Sequence, residues 1–420
     1  CWQGVHPPLH HALGAVWLCL LDRGSRPGIT ADPLLRVTRS PCPSPVALPP
    51  GAYPRENPRA FLPVDWDLAR FVRDPRDRFP LRYPFTVLRA LRAEGLAWGI
   101  GVVVFTYLAA VTALGPGGWA ILSAWLVALH PQFVFIASSL GNEAATSACG
   151  ALVAWLGLRH VRAASTGRRR VRAFGLGLAF GAGLLAKVTA AGSGPFAAAC
   201  VALAGPWNLR RKTVDLAVFA AGAGLVCGWW YARNVFLYGD PLGWRHLLLA
   251  YPHEAAGRSL ASSYFWTIRE GRFPLEVFMS FWGKFGWMTV KLSPATYGAL
   301  AALTVGGALG ALKAVVHPGP RERHSRPLLA LLMLHVAGAV VLLLRYNITG
   351  TPQPQGRYLF PALGPLMILL AAGIRSWSSR RAGRRGPSRR LVWALVGSVL
   401  ALLLVANGNA LLALTRAYAR

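Results

Sequence analysis

A few charged residues of this 420-residue chain lie beside long apolar runs without belonging to an arginine cluster, and these are the ones placed to do chemistry. Glu143 follows HPQFVFIASSLGN and opens a helical pattern, where a helix N-terminus stabilises a carboxylate and water still reaches it. Its plain structural role is capping, with Asn142 at the N-cap. Its chemical role is that of a base, or of a group orienting a substrate or a metal. Lys187, in GLLAKVTAAGSGP, is the one basic residue between 173 and 206. A charge at mid-membrane costs about 2.5–3.5 kcal/mol, so this ammonium either snorkels outward or pairs with an anion such as the phosphate of a lipid-linked substrate.

Three aromatic segments set flat rings beside cations. GWWYARNVFLYGDPLG (228–243) carries Arg233 and Asp240, FWGKFGWM (281–288) carries Lys284, and QGRYLFP (355–361) carries Arg357 and Tyr358. Guanidinium suits bidentate phosphate binding, and rings flanked by cations suit sugars; the same groups equally suit the lipid headgroup region. Asp240, just before Pro241, also has a turn-shaping role. The sequence holds no P-loop, no GxGxxG after a strand, no HExxH and no GxSxG elbow, so a donor already activated in the membrane is a simpler energy supply than cytosolic ATP. The six cysteines show neither CxxC nor metal spacing and read as small apolar fillers.

The elements that must position these residues are transmembrane helices. The chain is 54% hydrophobic with 16 Trp and a mean hydropathy of +0.40, far more apolar surface than a soluble core of this length needs. Of its 45 Lys and Arg, 20 fall in four short segments, 159–172, 207–213, 313–326 and 375–390, whose only acid is Glu322. Such loops face the cytoplasm, and the net charge of +30 is therefore a topology signal and not a nucleic-acid footprint. The opposite face receives 13 of the 15 carboxylates and every candidate named above.

Apolar windows near 96–114, 119–137, 143–158, 173–187, 190–206, 214–231, 295–316, 328–345, 360–375 and 391–413 predict about ten spans across a hydrocarbon layer of about 30 Å. Residues 9–21 (LHHALGAVWLCLL) are apolar but too short to cross, which predicts an interfacial helix. The expected organisation is a first outer loop (1–95), a six-helix part (96–231), a second outer loop (232–294) and a four-helix part (295–420). Residues 24–60 have loop composition. The start at Cys1, with neither a signal peptide nor a full span, suggests an N-terminally truncated chain.

Taken in order, VHPPLHHALGA, HPQFVFIASSLGNEAA, GLLAKVTA, WWYARNVFLYGDPLG, FWGKFGWM and QGRYLFPAL resemble the GT-C superfamily of polytopic glycosyltransferases. That superfamily uses polyprenyl-phosphate sugars and includes aminoarabinose and protein mannosyl transferases; the nearest look is to an uncharacterised bacterial branch. The resemblance implies an all-α integral membrane fold, with an interfacial helix and two large extracytoplasmic loops. It implies that His6, before Pro7 and Pro8, lies near the donor phosphate. Asn142 and Glu143 take the place of an Asn-Asp pair, Lys187 matches the lysine ending the following outward span, and Arg357 matches the arginine before the final outer helix. The superfamily's principal catalytic carboxylate, which lies upstream of the HPP motif, has no counterpart in this sequence.

The resulting expectation is a multi-pass plasma-membrane glycosyltransferase working on the extracytoplasmic side. It would move a hexose or pentose, with inversion, from a polyprenyl-phosphate carrier to an outer acceptor such as an envelope glycan, lipid or protein. Glu143 is the catalytic candidate. His6, Lys187, Arg233, Asp240, Lys284, Arg357 and Tyr358 are the substrate-binding candidates. Glu143 could act directly or through a divalent cation of unassigned identity. The alternatives from other classes are a transporter or flippase of lipid-linked saccharides and a non-catalytic membrane scaffold. Repeated halves or broken mid-membrane helices, which would favour transport, are not evident in the sequence.

Overall fold

The computed structural model describes Pro8, Leu9, Ala12, Leu13 and residues 85–418, apart from 140, 164–167, 206–207, 245–258, 267–272, 287, 320–321, 350–352 and 382–386. It is an all-α membrane fold. The helices are α1 (Phe85–Leu114), α2 (Gly118–Ala128), α3 (Pro131–Ala137), α4 (Glu143–Arg162), α5 (Arg169–Ala186), a 3-10 turn Val188–Ser193 leading into α6 (Gly194–Leu203), and α7 (Leu209–Tyr238). The segment between α7 and the next long helix holds α8 (Ser263–Trp266), α9 (Phe273–Trp282) and a two-residue antiparallel ladder, β1 (Lys284–Phe285) with β2 (Val290–Lys291), in the register Lys284 opposite Lys291. There follow α10 (Pro294–Val316), α11 (Arg326–Thr349), a 3-10 segment Gly356–Ala362 leading into α12 (Leu363–Arg381), and α13 (Arg389–Tyr418).

Helices fall in all ten apolar windows, but fewer than the expected ten are long and apolar enough to cross a membrane. Among the described residues six helices are long and apolar enough to span a membrane: α1, α7, α10, α11, the 3-10 segment with α12, and α13. The 119–137 window is a pair of helices, α2 and α3, bent by 58°. The bend has a local cause: Pro131 cannot continue the hydrogen-bond ladder, and the buried His130 caps the new helix by accepting from Phe133 N at 3.2 Å. The 190–206 window is shorter, Val188–Leu203. The first long helix starts at Phe85, so part of the sequence expected as the first outer loop is helical. Of the expected interfacial helix only Leu9, Ala12 and Leu13 are described as helical, with Ala12 N bonded to Pro8 O at 2.8 Å; the rest lies outside the described residues.

Small residues set how closely the bundle packs. A Cβ placed on Gly150 of α4 would sit 1.9 Å from the carbonyl oxygen of Pro361, and one on Gly338 of α11 would sit 2.0 Å from that of Gly192. These backbone approaches are open only to glycine, as is usual where apolar solvent offers no hydrophobic drive and dispersion must hold helices together. They matter for function because Gly150 locks α4, which starts at Glu143, against the segment that carries Arg357.

The two ends of the bundle differ as the charge pattern predicts. At one end, Arg375 donates to Leu114 O at 2.8 Å, Lys313 bonds Ser376, and Arg169 pairs with Asp215. At the other lie the starts of α4, α10 and the Gly356–Ala362 segment and the ends of α5 and α11. There Gln132 accepts from the backbone N–H of Lys284 at 2.7 Å, and Asn409 accepts from that of Ser293 at 2.8 Å, tying the segment between α7 and α10 to the helices.

Candidate functional site

Three ends of chain elements meet at Glu143. The segment Gly141–Asn142–Glu143 turns the chain into α4, and a Cβ on Gly141 would lie 2.7 Å from Glu143 Oε2, so the carboxylate folds back over a glycine. Asn142 is the N-cap residue, yet its side chain makes no capping bond; its amide instead donates to Ala186 O, at the end of α5, at 3.3 Å. That bond satisfies one of the carbonyls that a helix C-terminus leaves over, and it fixes the start of α4 beside Lys187.

Lys187 stands where α5 stops. Its extended backbone (φ −163°, ψ 140°) breaks the helix before the 3-10 turn, and its ammonium reaches Glu143 Oε1 at 3.0 Å. Arg357, second residue of the Gly356–Ala362 segment, brings Nη1 to 3.9 Å from the same oxygen. Tyr358 completes the group, with Lys187 Nζ 5.4 Å and Arg357 Cζ 5.8 Å from its ring centroid. The side chains of Glu143, Lys187 and Arg357 are 15%, 17% and 36% exposed, so the cluster is shielded but reachable.

Two cations address one carboxylate, which leaves an excess of one positive charge. Arg357 also keeps a buried Nε–H with no partner. Such a donor costs about 1–3 kcal/mol while unmatched and is recovered by an anionic oxygen. The arrangement thus combines a net positive charge with an unmatched donor, and Glu143 pairs with both cations. No group of three or more His, Cys, Asp or Glu side chains gathers at metal-binding spacing among the described residues.

The other candidates lie elsewhere at the same end. Lys284 is paired with Glu276 of α9. Arg233 stacks over Trp230 at 4.7 Å and bonds Asn234 at 3.0 Å, and Asp240 accepts from Leu242 N at 2.9 Å, the turn role its sequence suggested. His6 lies outside the described residues; Leu9, near it in sequence, packs against the cluster of Leu185, Cys227 and Trp230.

Sequence reading missed the neutral residues behind Tyr358. Its hydroxyl donates to Gln353 Oε1, and Gln353 N donates to Asn347 Oδ1 at 2.8 Å. Asn347 is fully buried and also accepts from Tyr264 Oη at 2.9 Å, while its amide donates to Leu343 O and Gln353 O. The available signal was an amide in an otherwise apolar helix, which must find partners when buried. Its partners lie in the distant short helix α8 and in the coil at Gln353, so spacing alone did not reveal them.

The fold and this site define a polytopic membrane protein with a corner of net positive charge at one end. No protein-family model and no curated protein sequence matches the chain. Among solved structures it is similar to the oligosaccharyltransferase of Archaeoglobus fulgidus, seen with a tethered acceptor peptide (15% identity, 81% of this chain and 45% of that one, TM-score 0.46) and in the apo form (13%, 79% and 45%, TM-score 0.40). It is also similar to apo ArnT from Cupriavidus metallidurans (15%, 67% and 62%, TM-score 0.32). The chain spans about half the length of the oligosaccharyltransferase. At these TM-scores the reading of the site rests on its own residues.

Proposed function

We propose that the chain is a membrane glycosyltransferase that takes a sugar from a polyprenyl-phosphate carrier and passes it to an acceptor on the extracytoplasmic side. The observation that carries this reading is the excess positive charge at Glu143, Lys187 and Arg357 with its unmatched Nε–H, at the end of the bundle opposite the arginine-rich loops. Positive loops mark the cytoplasmic side, so this corner opens outward.

In the reaction the acceptor hydroxyl oxygen bonds to the anomeric carbon, and the bond from that carbon to the carrier phosphate breaks. The electron pair leaves with the phosphate, which goes from diester to monoester and gains negative charge. Lys187 and Arg357 are placed to hold that charge as it develops, and fixed charges contribute most when they need not reorganise. Glu143 supplies the fixing. A carboxylate so bound is a better orienting group than a base, and its free side, Oε2, is what remains to accept the acceptor's proton. Tyr358 offers a flat face to the sugar. Arg233, Asp240 and Lys284 are assigned to the surrounding donor and headgroup contacts.

The test is transfer of a labelled sugar from a polyprenyl-phosphate donor in proteoliposomes. The wild-type chain should transfer label, and Lys187→Ala and Arg357→Ala should each lower the rate at least tenfold. Transfer unchanged in both variants overturns the residue assignment; absence of transfer to any acceptor, with the protein folded, overturns the function.

A further inference from the structure

A second buried charge cluster lies at the arginine-rich end, where α4 finishes, α5 starts, α6 finishes and α7 starts. It is remote from the first: along α4, His160 lies 17 residues beyond Glu143, about 25 Å of helix. His160, 1% exposed, lies within electrostatic range of the charges of Arg169, Arg172, Lys212 and Asp215, and neither of its ring nitrogens has a hydrogen-bond partner. Arg169, 9% exposed, sets Nη2 at 2.5 Å from Asp215 Oδ2, while its own Nε–H is buried and unmatched. Lys212 is buried and caps α6 by donating to Ala204 O at 2.5 Å and Gly205 O at 3.4 Å.

Two buried cations, Arg169 and Lys212, thus stand near one carboxylate, Asp215, which the largely exposed Arg170 also approaches at 3.9 Å. Buried cations normally have counter-charges, and buried donors normally have acceptors. Here both are short at one place. A single tetrahedral anion would meet both deficits, accepting from Arg169 Nε–H and the His160 ring and offsetting the surplus charge. Arg159 lies 5.5 Å over the Trp155 ring one turn earlier, an arrangement suited to headgroup depth.

We propose that this corner binds a phosphate group, supplied either by the headgroup of an anionic phospholipid or by free phosphate. The proposal is independent of the glycosyltransferase reading. It assigns His160 to the ligand and leaves Asp215 as the internal partner of Arg169. A purely structural cluster makes the opposite prediction for His160, since an imidazole without partners contributes nothing that leucine would not.

The experiment is thermal unfolding of the full chain in nanodiscs of phosphatidylcholine, of phosphatidylcholine with phosphatidylglycerol, and of phosphatidylcholine with added inorganic phosphate. Wild type should unfold several degrees higher in at least one anionic condition. A gain with phosphatidylglycerol alone identifies a lipid headgroup; a gain with inorganic phosphate in the neutral disc identifies free phosphate. His160→Leu should match wild type in the neutral disc and lose more than half of the gain. Should that variant not fold, Arg172→Gln carries the same expectation for the gain. No gain in wild type overturns the proposal, and so does a full gain in both variants, which would credit the surface arginines instead.

Discussion

The two ends of this bundle hold nearly the same ingredients and use them differently. Each has one carboxylate between cations contributed by separate elements: Glu143 with Lys187 and Arg357, and Asp215 with Arg169 and Lys212 close by. At the arginine-rich end the Asp215 and Arg169 side chains are 4% and 10% exposed, and their ion pair fastens the start of α5 to α7. At the other end the charges stand where helices begin and end, partly open to solvent, and a tyrosine ring lies against both cations. Deeper burial makes the Asp215–Arg169 pair structural, so a ligand at that corner adds to the pair without replacing either partner. Partial exposure leaves the Glu143 pairs free to exchange a partner for a ligand.

The comparison breaks most visibly if the geometry behind one corner is removed. Gly150→Val should be the most damaging change, because its first side-chain carbon would meet the Pro361 carbonyl; overpacking of this kind costs about 3 kcal/mol or more. Thermal unfolding should drop steeply, and any folded fraction should have lost the approach of Arg357 to Glu143.

Asp215→Asn should cost about 3 kcal/mol, since it strands buried cations. Glu143→Gln, at the more open corner, should cost about 1 kcal/mol of stability while sugar transfer falls by at least a hundredfold. Unfolding midpoints and transfer rates measured on the two variants sharpen the contrast. Equal stability losses would mean that the corners are alike.

Asn347→Leu should cost about 2 kcal/mol by leaving the groups around Tyr264 and Gln353 unmatched. It should also raise the KM for the donor more than it lowers kcat, because it releases Tyr358 without touching Lys187. The smallest effect belongs to Lys284→Gln, whose charge is taken up by Glu276; transfer should change less than threefold, and a larger loss would move Lys284 into the site.

Much of this was legible in the sequence, for reasons that particular residues make plain. The charge segregation predicted which ends share a side because arginines in short loops decide topology, and the helix ends in the structure fall accordingly. Glu143, Lys187 and Arg357 could be singled out because a charge beside an apolar run has few bland explanations. Their convergence was not readable, since it depends on the close approach at Gly150 and on where α5 ends. The bent pair at His130 was read as one window because its apolar run is continuous, although Pro131 was the signal for a break. Asn347 and Gln353 escaped notice because neutral amides carry no topological signal, and their importance comes from burial.

The most direct test of the central claim bypasses the unknown sugar and acceptor. Binding of a short-chain polyprenyl phosphate to the full chain in neutral nanodiscs should be saturable, and Lys187→Ala with Arg357→Ala should weaken it at least a hundredfold. Each charged contact removed accounts for about 1.5–3 kcal/mol of that loss. Binding as tight in the double variant as in the wild-type chain would contradict the account, because the corner at Glu143 would then not be where the phosphate is held.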